Sequence, residues 1–497
     1  MAYSLSQRKE VLFKMYSAQL GGQLRFFNDA DVNAIHEGVV RLLEEVGMQV
    51  KSKQAFEIFE KNGAICDPNT EIVKIPRVML EKAIKTAPSK IIIHGRDEKN
   101  DAVLEKNRVH FGTGGTVMYA LDFETGERRV TNTQDVRDFG RLMDALENLA
   151  FYVIHTYPAD VPEEDVDVNR FYWAITNTTK PIMGGMYTMK GLREAIKVAE
   201  MVAGGANKLR ERPFVSFITL MVSPLVMDWH YTDFLIEVAM KGLPLAVPSE
   251  PLAGATSPVT LASTITINLA ESLAGLTLAQ LVNPGCPAFI GTTSSIMDMQ
   301  TGTYVAGAIE SSMINVGIAQ MAQYYDLPLY ATGGQSDSKL NDAQAGYESA
   351  CQAMTLGLSG ANWIHDAAGL LENCTTVSYE KTVIDNEILG NVLRVLKGVE
   401  VNKETLAIDV IKEVGPAGNF LANVHTAKHF RKEFYMPKVS DRWNRITWNQ
   451  KGALDAHARA HIIAEKILYE HRVTPIEPEI QAQIRQMFPG IKGKDIF

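Results

Sequence analysis

The sequence is poor in cysteine, and the cysteines that it has are far apart. Cys66, Cys286, Cys351 and Cys374 form neither a C-x-x-C pair nor a Cys/His spacing typical of a structural zinc site. No H-E-x-x-H motif is present either. We therefore expect free thiols in a reducing compartment and no bound metal.

The sequence also lacks a dense cluster of positive charge. Its formal net charge is -9, and no long run of Lys and Arg occurs. Binding to nucleic acid requires a clustered basic surface that neutralises phosphates. We therefore expect no nucleic-acid partner.

No long stretch of the sequence is free of polar residues that would be costly to place in a membrane. Residues 1–12 lack the apolar core of a signal peptide. The most apolar long stretch, residues 259–282, contains Asn268 and Glu271, which would be costly in lipid. We expect this stretch to be a buried helix of a cytoplasmic protein that has no membrane partner.

Beyond residue 108 the sequence alternates short apolar strands with amphipathic helices. The predicted strands begin at Val109, Phe151, Lys180, Pro213, Leu243, Pro287, Leu327 and Ala361. Nearly continuous apolar strands are typical of parallel strands covered by helices. Eight of them predict an α/β fold, a (β/α)8 TIM-type barrel. A doubly wound open sheet is the alternative, although GTGGTV at Gly112 lacks the G-x-G-x-x-G spacing of a dinucleotide turn.

Helical patterns flank this repeat on both sides. The run AIHEGVVRLLEEVGMQV repeats apolar residues at helical spacing, and residues 91–95 predict a hairpin or an edge strand. From residue 403 the chain is charged and helical. We expect an N-terminal helical cap over residues 1–107, a barrel over 108–400 and a C-terminal helical extension over 401–497. The extension is expected to contact a partner subunit in a homo-oligomer.

Catalytic side chains of such barrels come from the carboxyl ends of the strands and the loops that follow. That rule selects Gly114, Gly115, His155, Tyr157, Met186, Tyr187, Ser223, Glu250, Thr292, Thr293, Gln335, Asp337, Lys339, Asp342, His365, Asp366 and Glu372. Simpler explanations stay open. The loop at 333–349 could be a hydrated loop with a helix cap, and His365 could be a core histidine that bonds a carbonyl.

Three segments resemble a known family. They are GTTSSIMDMQTG at 291–302, GGQSDSKLNDAQAGYE at 333–348 and GANWIHDAAGLLE at 360–372. They resemble the trimethylamine methyltransferase family, and the resemblance covers nearly the whole chain. Founding members carry pyrrolysine in the barrel, whereas this chain has only standard residues. It is therefore similar to the non-pyrrolysine branch.

The resemblance implies a corrinoid-dependent methyltransferase. Known substrates of that branch are quaternary amines such as glycine betaine, proline betaine, carnitine and γ-butyrobetaine, and the methyl passes to Co(I) of a separate, cognate corrinoid protein. The chain itself would bind no cofactor tightly, because the partner supplies the cobalamin. A methyltransferase for a tertiary, trimethylamine-type substrate and a non-catalytic betaine-binding protein are the alternatives.

The implied chemistry assigns roles to the candidate residues. A quaternary ammonium already has a neutral amine as its leaving group, so positioning supplies most of the catalysis. Aromatic faces stabilise such a cation, and the candidates for this role are Tyr157, Tyr187, Tyr330 and Trp363, each of which packing alone could explain. His365, and after it Lys339, would donate to a betaine carboxylate. Glu250 or Asp337 would balance the positive charge.

Overall fold

The computed structural model describes residues 19–494, and its centre is a ring of eight parallel strands. They are β1 Arg108–Phe111, β2 Tyr152–Val153, β3 Ile182–Gly185, β4 Val215–Ile218, β5 Leu245–Ser249, β6 Ala288–Thr292, β7 Leu329–Thr332 and β8 Trp363–His365. From β2 to β8 each strand pairs in parallel with the next, and β8 pairs with β1. A parallel bridge between Gly112 and Phe151 joins β1 to β2. The barrel prediction is confirmed, and the open sheet is excluded.

One helix of the outer layer follows each strand. These helices are α1 Thr133–Ala145, α2 Val166–Asn177, α3 Met189–Ala203, α4 Trp229–Lys241, α5 Leu261–Val282, α6 Ile309–Tyr325, α7 Ala343–Ser359 and α8 Tyr379–Leu396. A short helix, Ala206–Glu211, lies between α3 and β4. The sequence pattern did not single out α2 and α8. Both bury charged residues, such as Arg170 in α2 and Lys381 in α8, which interrupts the apolar stripe that marks a helix.

In the described part of the chain, α5 is the one helix that is long and apolar enough to cross a membrane. It is instead mostly buried inside the fold, as predicted. Its polar side chains are paired. Asn268 donates to the Ser249 carbonyl at 3.0 Å, and Glu271 accepts from the Ser223 hydroxyl and the Leu225 N–H, each at 2.7 Å. These bonds fix the loop after β4 and the end of β5.

The region before the barrel contains strands as well as the expected helices. Its helices are Asp29–Arg41, Lys53–Lys61 and Arg77–Thr86, with a π-turn at Leu42–Val46 and a 3-10 turn at Glu98–Asn100. Its strands are Gln19–Leu20, Met48–Val50, Ile65–Asp67, Ile72–Lys74, Lys90–Ile93 and Ala102–Glu105. Gln19–Leu20 pairs with β1, and Met48–Val50 pairs with Val226–Met227 from the loop after β4. The stretch at 1–12, predicted not to be a signal peptide, lies outside the described residues.

The hairpin of Lys90–Ile93 and Ala102–Glu105 fills the amino-terminal end of the barrel. Its Ile91, Ile93 and Leu104 join a buried apolar cluster with Phe151 and Trp363. The rings of Phe151 and Trp363 stack there with centroids 3.6 Å apart. This packing closes the barrel at one end, so we call the other end, where the strands reach their carboxyl termini, the barrel mouth.

Two small sheets frame the barrel mouth. One joins Tyr119–Leu121, Arg128–Val130, Leu370–Leu371 and Thr376–Val377 from the loops after β1 and β8. The other joins Leu252–Ala253, Ser295–Met297 and Tyr304–Val305 from the loops after β5 and β6. Both sheets are additions to the simple strand and helix repeat, and they place loop residues around the mouth.

After α8 the described chain is helical. The helices are Lys403–Leu406, Ile408–Val414, Val424–Glu433, Arg445–Gln450, Ala456–Glu470 and Pro478–Met487. Ala456–Glu470 packs on α8 and α1, and Pro478–Met487 packs on α3. The end of the chain therefore folds back along the outer layer of the barrel.

Lys180, directly before β3, satisfies the end of α1. Its buried Nζ donates to the carbonyl oxygens of Met143, Leu146 and Leu149 at 2.6, 2.7 and 2.6 Å. Carbonyls at the end of a helix have no partner within the helix. The hydrogen bonds of this single lysine therefore hold the end of α1 against the start of β3.

We predict that Lys180→Met destabilises the protein by about 3 kcal/mol, because buried carbonyls lose their donor while the apolar stem stays. The midpoint of urea unfolding measures the effect. Lys61→Met, at an exposed lysine near the end of Lys53–Lys61, is the matched control and should leave the midpoint almost unchanged. Equal midpoints for the two variants would contradict the assigned role.

Candidate active site

Alternation along the strands decides which side chains face the barrel axis. In β8, Trp363 belongs to the inner cluster and Ile364 to the outer core, so His365 faces inward one layer nearer the mouth. In β7, Tyr330 faces inward. The rings of Tyr330 and His365 stack with centroids 4.0 Å apart. The pair lies above the closed apolar end of the barrel.

Asp366 follows directly in a left-handed conformation, with φ 60°. One carboxylate oxygen accepts from the Thr332 hydroxyl at 2.7 Å and from the Gln335 amide at 2.5 Å. The other lies 2.9 Å from Nδ1 of His365. Burial raises the pKa of Asp366, but His365 and the two donors outweigh it, so the pKa is lowered overall. Asp366 is therefore a buried, charged carboxylate.

Two buried polar atoms beside Asp366 have no hydrogen-bond partner among residues 19–494. They are Nε2 of His365 and Oε1 of Gln335. A buried polar atom without a partner costs about 1–3 kcal/mol, and native proteins keep few of them. Their concentration at the ends of β7 and β8 indicates a place for a polar ligand.

Glu250 follows β5 and is partly exposed at the mouth. Burial of the carboxyl group and, after it, the charge of Asp366 raise the pKa of Glu250 to about 7. Within the described ranges no Lys or Arg forms an ion pair with Glu250, and the ion-pair partner of Asp366 is His365. The mouth thus holds two carboxyl groups without a paired strong base. A bound cation would stabilise both.

Tyr157 and Tyr187 lie together at the ends of β2 and β3. Their rings are perpendicular, with centroids 5.2 Å apart, and both are partly exposed. The guanidinium of buried Arg170 lies 5.3 Å from the centre of the Tyr187 ring and donates to the Gly185 carbonyl at 2.8 Å. Tyr187 therefore already contacts one internal cation.

Other candidates are placed elsewhere. Trp363 is fully buried at the closed end of the barrel. Asp337 accepts from the backbone N–H groups of Ala306 and Gly307 at 2.8 and 3.0 Å. Lys339 is exposed, and its Nζ donates to the Asp337 carbonyl at 2.9 Å. Trp363 and Lys339 are thus not brought together with His365 and Glu250, whereas the charges of Asp337 and Glu250 both act on Tyr304 at the mouth.

His155 and Asp342 also have other surroundings. The ring of His155 packs on Phe139 of α1 and on Tyr152, and burial lowers the pKa of His155 to about 3, so it is neutral. It is not brought together with Tyr157, whose ring packs on Tyr187. Asp342 caps α7 by accepting from the Ala345 N–H at 3.0 Å, which confirms the predicted cap.

Tyr304 and Cys374 are residues of the mouth that the sequence did not reveal. Burial, and then the charges of Cys374 and Glu250, raise the pKa of Tyr304 well above its usual value. The Asn373 side chain donates to the Tyr304 carbonyl at 2.5 Å. Glu372, Asn373 and Cys374 are all left-handed, with φ between 52° and 63°. These loops follow different strands, and no local sequence pattern predicts that they meet.

The family is decided by sequence comparison. A family model described as trimethylamine methyltransferase (MTTB) matches residues 6–489. The chain belongs to the trimethylamine methyltransferase family. The trimethylamine methyltransferase MttB of Desulfitobacterium hafniense (strain DSM 10664 / DCB-2) is 38% identical over 467 residues, which are 94% of each chain. The glycine betaine methyltransferase of D. hafniense (strain Y51) is 34% identical over 481 residues, 96% of this chain and 99% of that one.

A further relative and a solved structure are also similar to this chain. The trimethylamine methyltransferase MttB of Methanosarcina barkeri (strain Fusaro / DSM 804) is 34% identical over 472 residues, 94% of each chain. Among solved structures, the M. barkeri monomethylamine methyltransferase (MtmB) gives a TM-score of 0.49 at 12% identity, over 94% of this chain and 98% of that one. The strand order by itself establishes the barrel. Membership of the family confirms the resemblance and makes the chain a methyltransferase.

Gly114 lies against the polar group at the end of β8. A Cβ on this residue would stand 2.2 Å from Oδ1 of Asp366 and 2.3 Å from Nδ1 of His365. Real Cβ atoms do not approach other atoms so closely, so any side chain here displaces both groups. The backbone after β1 can pass this point because residue 114 is glycine.

We predict that Gly114→Ala lowers methyltransferase activity by about tenfold or more, because the displaced groups no longer position the ligand. Thermal unfolding should show a loss of about 1–3 kcal/mol from overpacking. Gly346→Ala in α7, where a Cβ meets nothing within 4 Å, should keep full activity. Full activity of Gly114→Ala would show that the Asp366 and His365 positions do not matter.

Proposed function

We propose that this chain transfers a methyl group from a small quaternary amine, of the glycine betaine type, to Co(I) of a separate corrinoid protein. The observation that carries the choice of a cationic substrate is the pair of carboxyl groups at the mouth, Glu250 and Asp366. No Lys or Arg among the described residues is paired with either one. A permanent cation would supply the missing positive charge.

The substrate pose follows from the surroundings of these carboxyl groups. The ammonium lies beside Glu250 and Asp366, and the Tyr330 and His365 stack forms the floor beneath it. Tyr157 and Tyr187 form an aromatic wall on the side of β2 and β3, where each favourable cation–π contact contributes about 0.5–2 kcal/mol. One methyl then faces out of the mouth.

His365 is the proposed donor to the carboxylate of a betaine. Its Nδ1 lies 2.9 Å from Asp366, whereas its buried Nε2 lacks a hydrogen-bond partner among residues 19–494, and a charge-assisted bond to a carboxylate is stronger than a neutral one. Exposed Lys339 is the weaker candidate, since its Nζ already donates to the Asp337 carbonyl.

The transfer needs little acid or base chemistry from this chain. The corrinoid supplies the Co(I) nucleophile that takes the methyl, and the electron pair of the broken C–N bond returns to nitrogen as a neutral tertiary amine. No proton has to be delivered to the leaving group. The residues of the mouth therefore act by holding and orienting the cation.

The rim of the mouth fits an acceptor that arrives on another protein. Met118, Met299 and Leu340 follow β1, β6 and β7, and their side chains are 43%, 73% and 65% exposed. Exposed apolar residues grouped around a site are typical of a protein contact. We propose that the corrinoid protein docks here and brings its own cobalamin, and that this chain binds no cofactor tightly.

The cytoplasm is the proposed location. The four cysteines of the described residues are free thiols, as in a reducing compartment. Co(I) is itself a strong reductant and needs the same protection from oxidation. The barrel also accounts for α5 as a core helix.

A tertiary amine is the second candidate substrate. It is favoured by the 38% identical relative, which is named a trimethylamine methyltransferase. Protonated trimethylamine is also a cation and would meet the same two carboxyl groups. It has no carboxylate, so it would leave Nε2 of His365 without an acceptor.

We predict that the purified chain, mixed with its corrinoid protein in the Co(I) state, consumes the Co(I) absorption when glycine betaine or another carboxylated quaternary amine is added. Trimethylamine at the same concentration should react much more slowly. Glu250→Gln should reduce kcat/KM for the quaternary amine by about tenfold or more, because it removes the charge but keeps the shape. Glu211→Gln, at an exposed glutamate, is the control and should react like the wild type.

Other results would support a different function for this chain. Reaction with trimethylamine alone would favour the second candidate. Tight binding of betaine in a calorimeter without methylation of cobalt by any amine would show a binding protein that does not transfer methyl groups.

A further inference from the structure

Two loops of the barrel mouth carry the groups that surround Asp366. The loop after β7 contains Gln335, whose side-chain amide donates to Asp366, and the loop after β8 contains Asp366 itself. The two loops touch, because a Cβ on Gly334 would stand 2.6 Å from Cα of Ala367. Gly334 has φ 117°, a conformation that favours glycine. The position of Asp366 therefore depends on how both loops are held.

A buried ion pair lies behind these loops, where α7 and α8 meet. Nζ of Lys381 lies 2.8 and 2.7 Å from the two carboxylate oxygens of Asp385, one turn further along α8. The two side chains are 2% and 1% exposed. Taking two charges out of water costs free energy, and the attraction between them often does no more than offset that cost. The pair is therefore better explained by the geometry that it fixes than by its contribution to stability.

Each member of the pair holds one of the two loops. A carboxylate oxygen of Asp385 accepts from the backbone N–H of Gly369 at 2.8 Å, in the loop after β8. Nζ of Lys381 donates to the hydroxyl oxygen of Ser349 in α7 at 2.7 Å. The Ser349 hydroxyl donates in turn to the Gly334 carbonyl at 2.7 Å, in the loop after β7. Hydrogen bonds therefore connect the two loops through the ion pair.

The chemistry of lysine fixes the direction of these bonds. A lysine ammonium can only donate, so the Ser349 oxygen accepts from Lys381 and its single hydrogen points at the Gly334 carbonyl. Gln352, also in α7, adds to this contact, because its Oε1 accepts from the backbone N–H groups of Gly334 and Gln335 at 2.8 and 3.1 Å. The backbone that carries Gln335 is therefore held from α7 through its N–H groups and a carbonyl.

We propose that Lys381, Asp385 and Ser349 are positioning residues of the active site. Through the two loops they keep Gln335 within hydrogen-bond distance of Asp366. The ion pair is neutral as a whole, so it adds no net charge to the mouth and acts by geometry. This inference rests on the proposed function, in which Asp366 binds the substrate cation.

Ser349→Ala tests the positioning role with a small change, because it removes one hydroxyl and keeps the ion pair. KM and kcat are measured for methyl transfer from glycine betaine to the corrinoid protein in the Co(I) state. A smaller folded fraction lowers kcat alone, whereas a displaced Asp366 also raises KM, which we expect to increase at least about fivefold. Ser359→Ala is the matched control. It removes a buried hydroxyl at the last residue of α7, where it donates to the Leu356 carbonyl at 2.8 Å, and should keep the wild-type KM.

Hydrogen exchange tests the same inference without any substrate. In Ser349→Ala the amides of residues 333–337 should exchange at least about tenfold faster, while those of the barrel strands keep the wild-type rate. Lys381→Met/Asp385→Leu removes the whole pair and leaves no unpaired charge, so this variant should fold. In it the amides of 333–337 and of 366–370 should both exchange faster.

An unchanged KM in Ser349→Ala would overturn the positioning role, and so would faster exchange spread evenly over the whole chain. Reaction with trimethylamine and not with glycine betaine would contradict the proposed substrate alone, because the ratio of KM values measured with trimethylamine still tests the positioning role. If neither amine reacts, the proposed transfer fails. Faster exchange confined to the two loops would then still support the role of the ion pair, and wild-type exchange there would overturn it.

Discussion

The structure depends on how a closed ring of eight strands fills its own interior. A barrel of this size has room only for side chains, and here the amino-terminal half of that space is taken by apolar groups. The hairpin before β1 inserts Ile91, Ile93 and Leu104 next to Phe151 and Trp363. Because that end is sealed by packing, the polar groups of the inner face are concentrated at the other end. The barrel is therefore open at one end and closed by apolar side chains at the other.

The polarity of the mouth follows from this division. Asp366 stays charged because His365, Thr332 and Gln335 surround it. Glu250, which lacks such donors, has a pKa near 7. The two carboxyl groups in the mouth repel each other, which destabilises the fold. The buried polar atoms beside them that lack a hydrogen-bond partner destabilise it further. Such costs are tolerated where a ligand relieves them. A bound cation would therefore stabilise the site.

The sequence predicted the barrel well because eight apolar strands and most of the helices follow a local pattern. It missed α2 and α8, in which Arg170 and Lys381 are buried and obscure the helical stripe. Trp363 shows the limit for the site. Because it is aromatic and belongs to a barrel strand, the sequence suggested that it stabilises the cation. It lies instead at the closed end of the barrel, two residues before His365. Tyr304 and Cys374 reach the mouth from loops after β6 and β8, and only the tertiary fold brings them together.

The central claim is that the mouth holds a methylated cation against Glu250, and calorimetric binding of tetramethylammonium tests it most directly. This ion has a charge that does not change with pH. As pH rises from 6 to 8, Glu250 loses its proton and gains charge, because its pKa is about 7, so the dissociation constant should fall about tenfold. Glu250→Gln should bind weakly at both pH values. Binding of equal strength at pH 6 and pH 8, or unchanged binding by Glu250→Gln, would contradict the account.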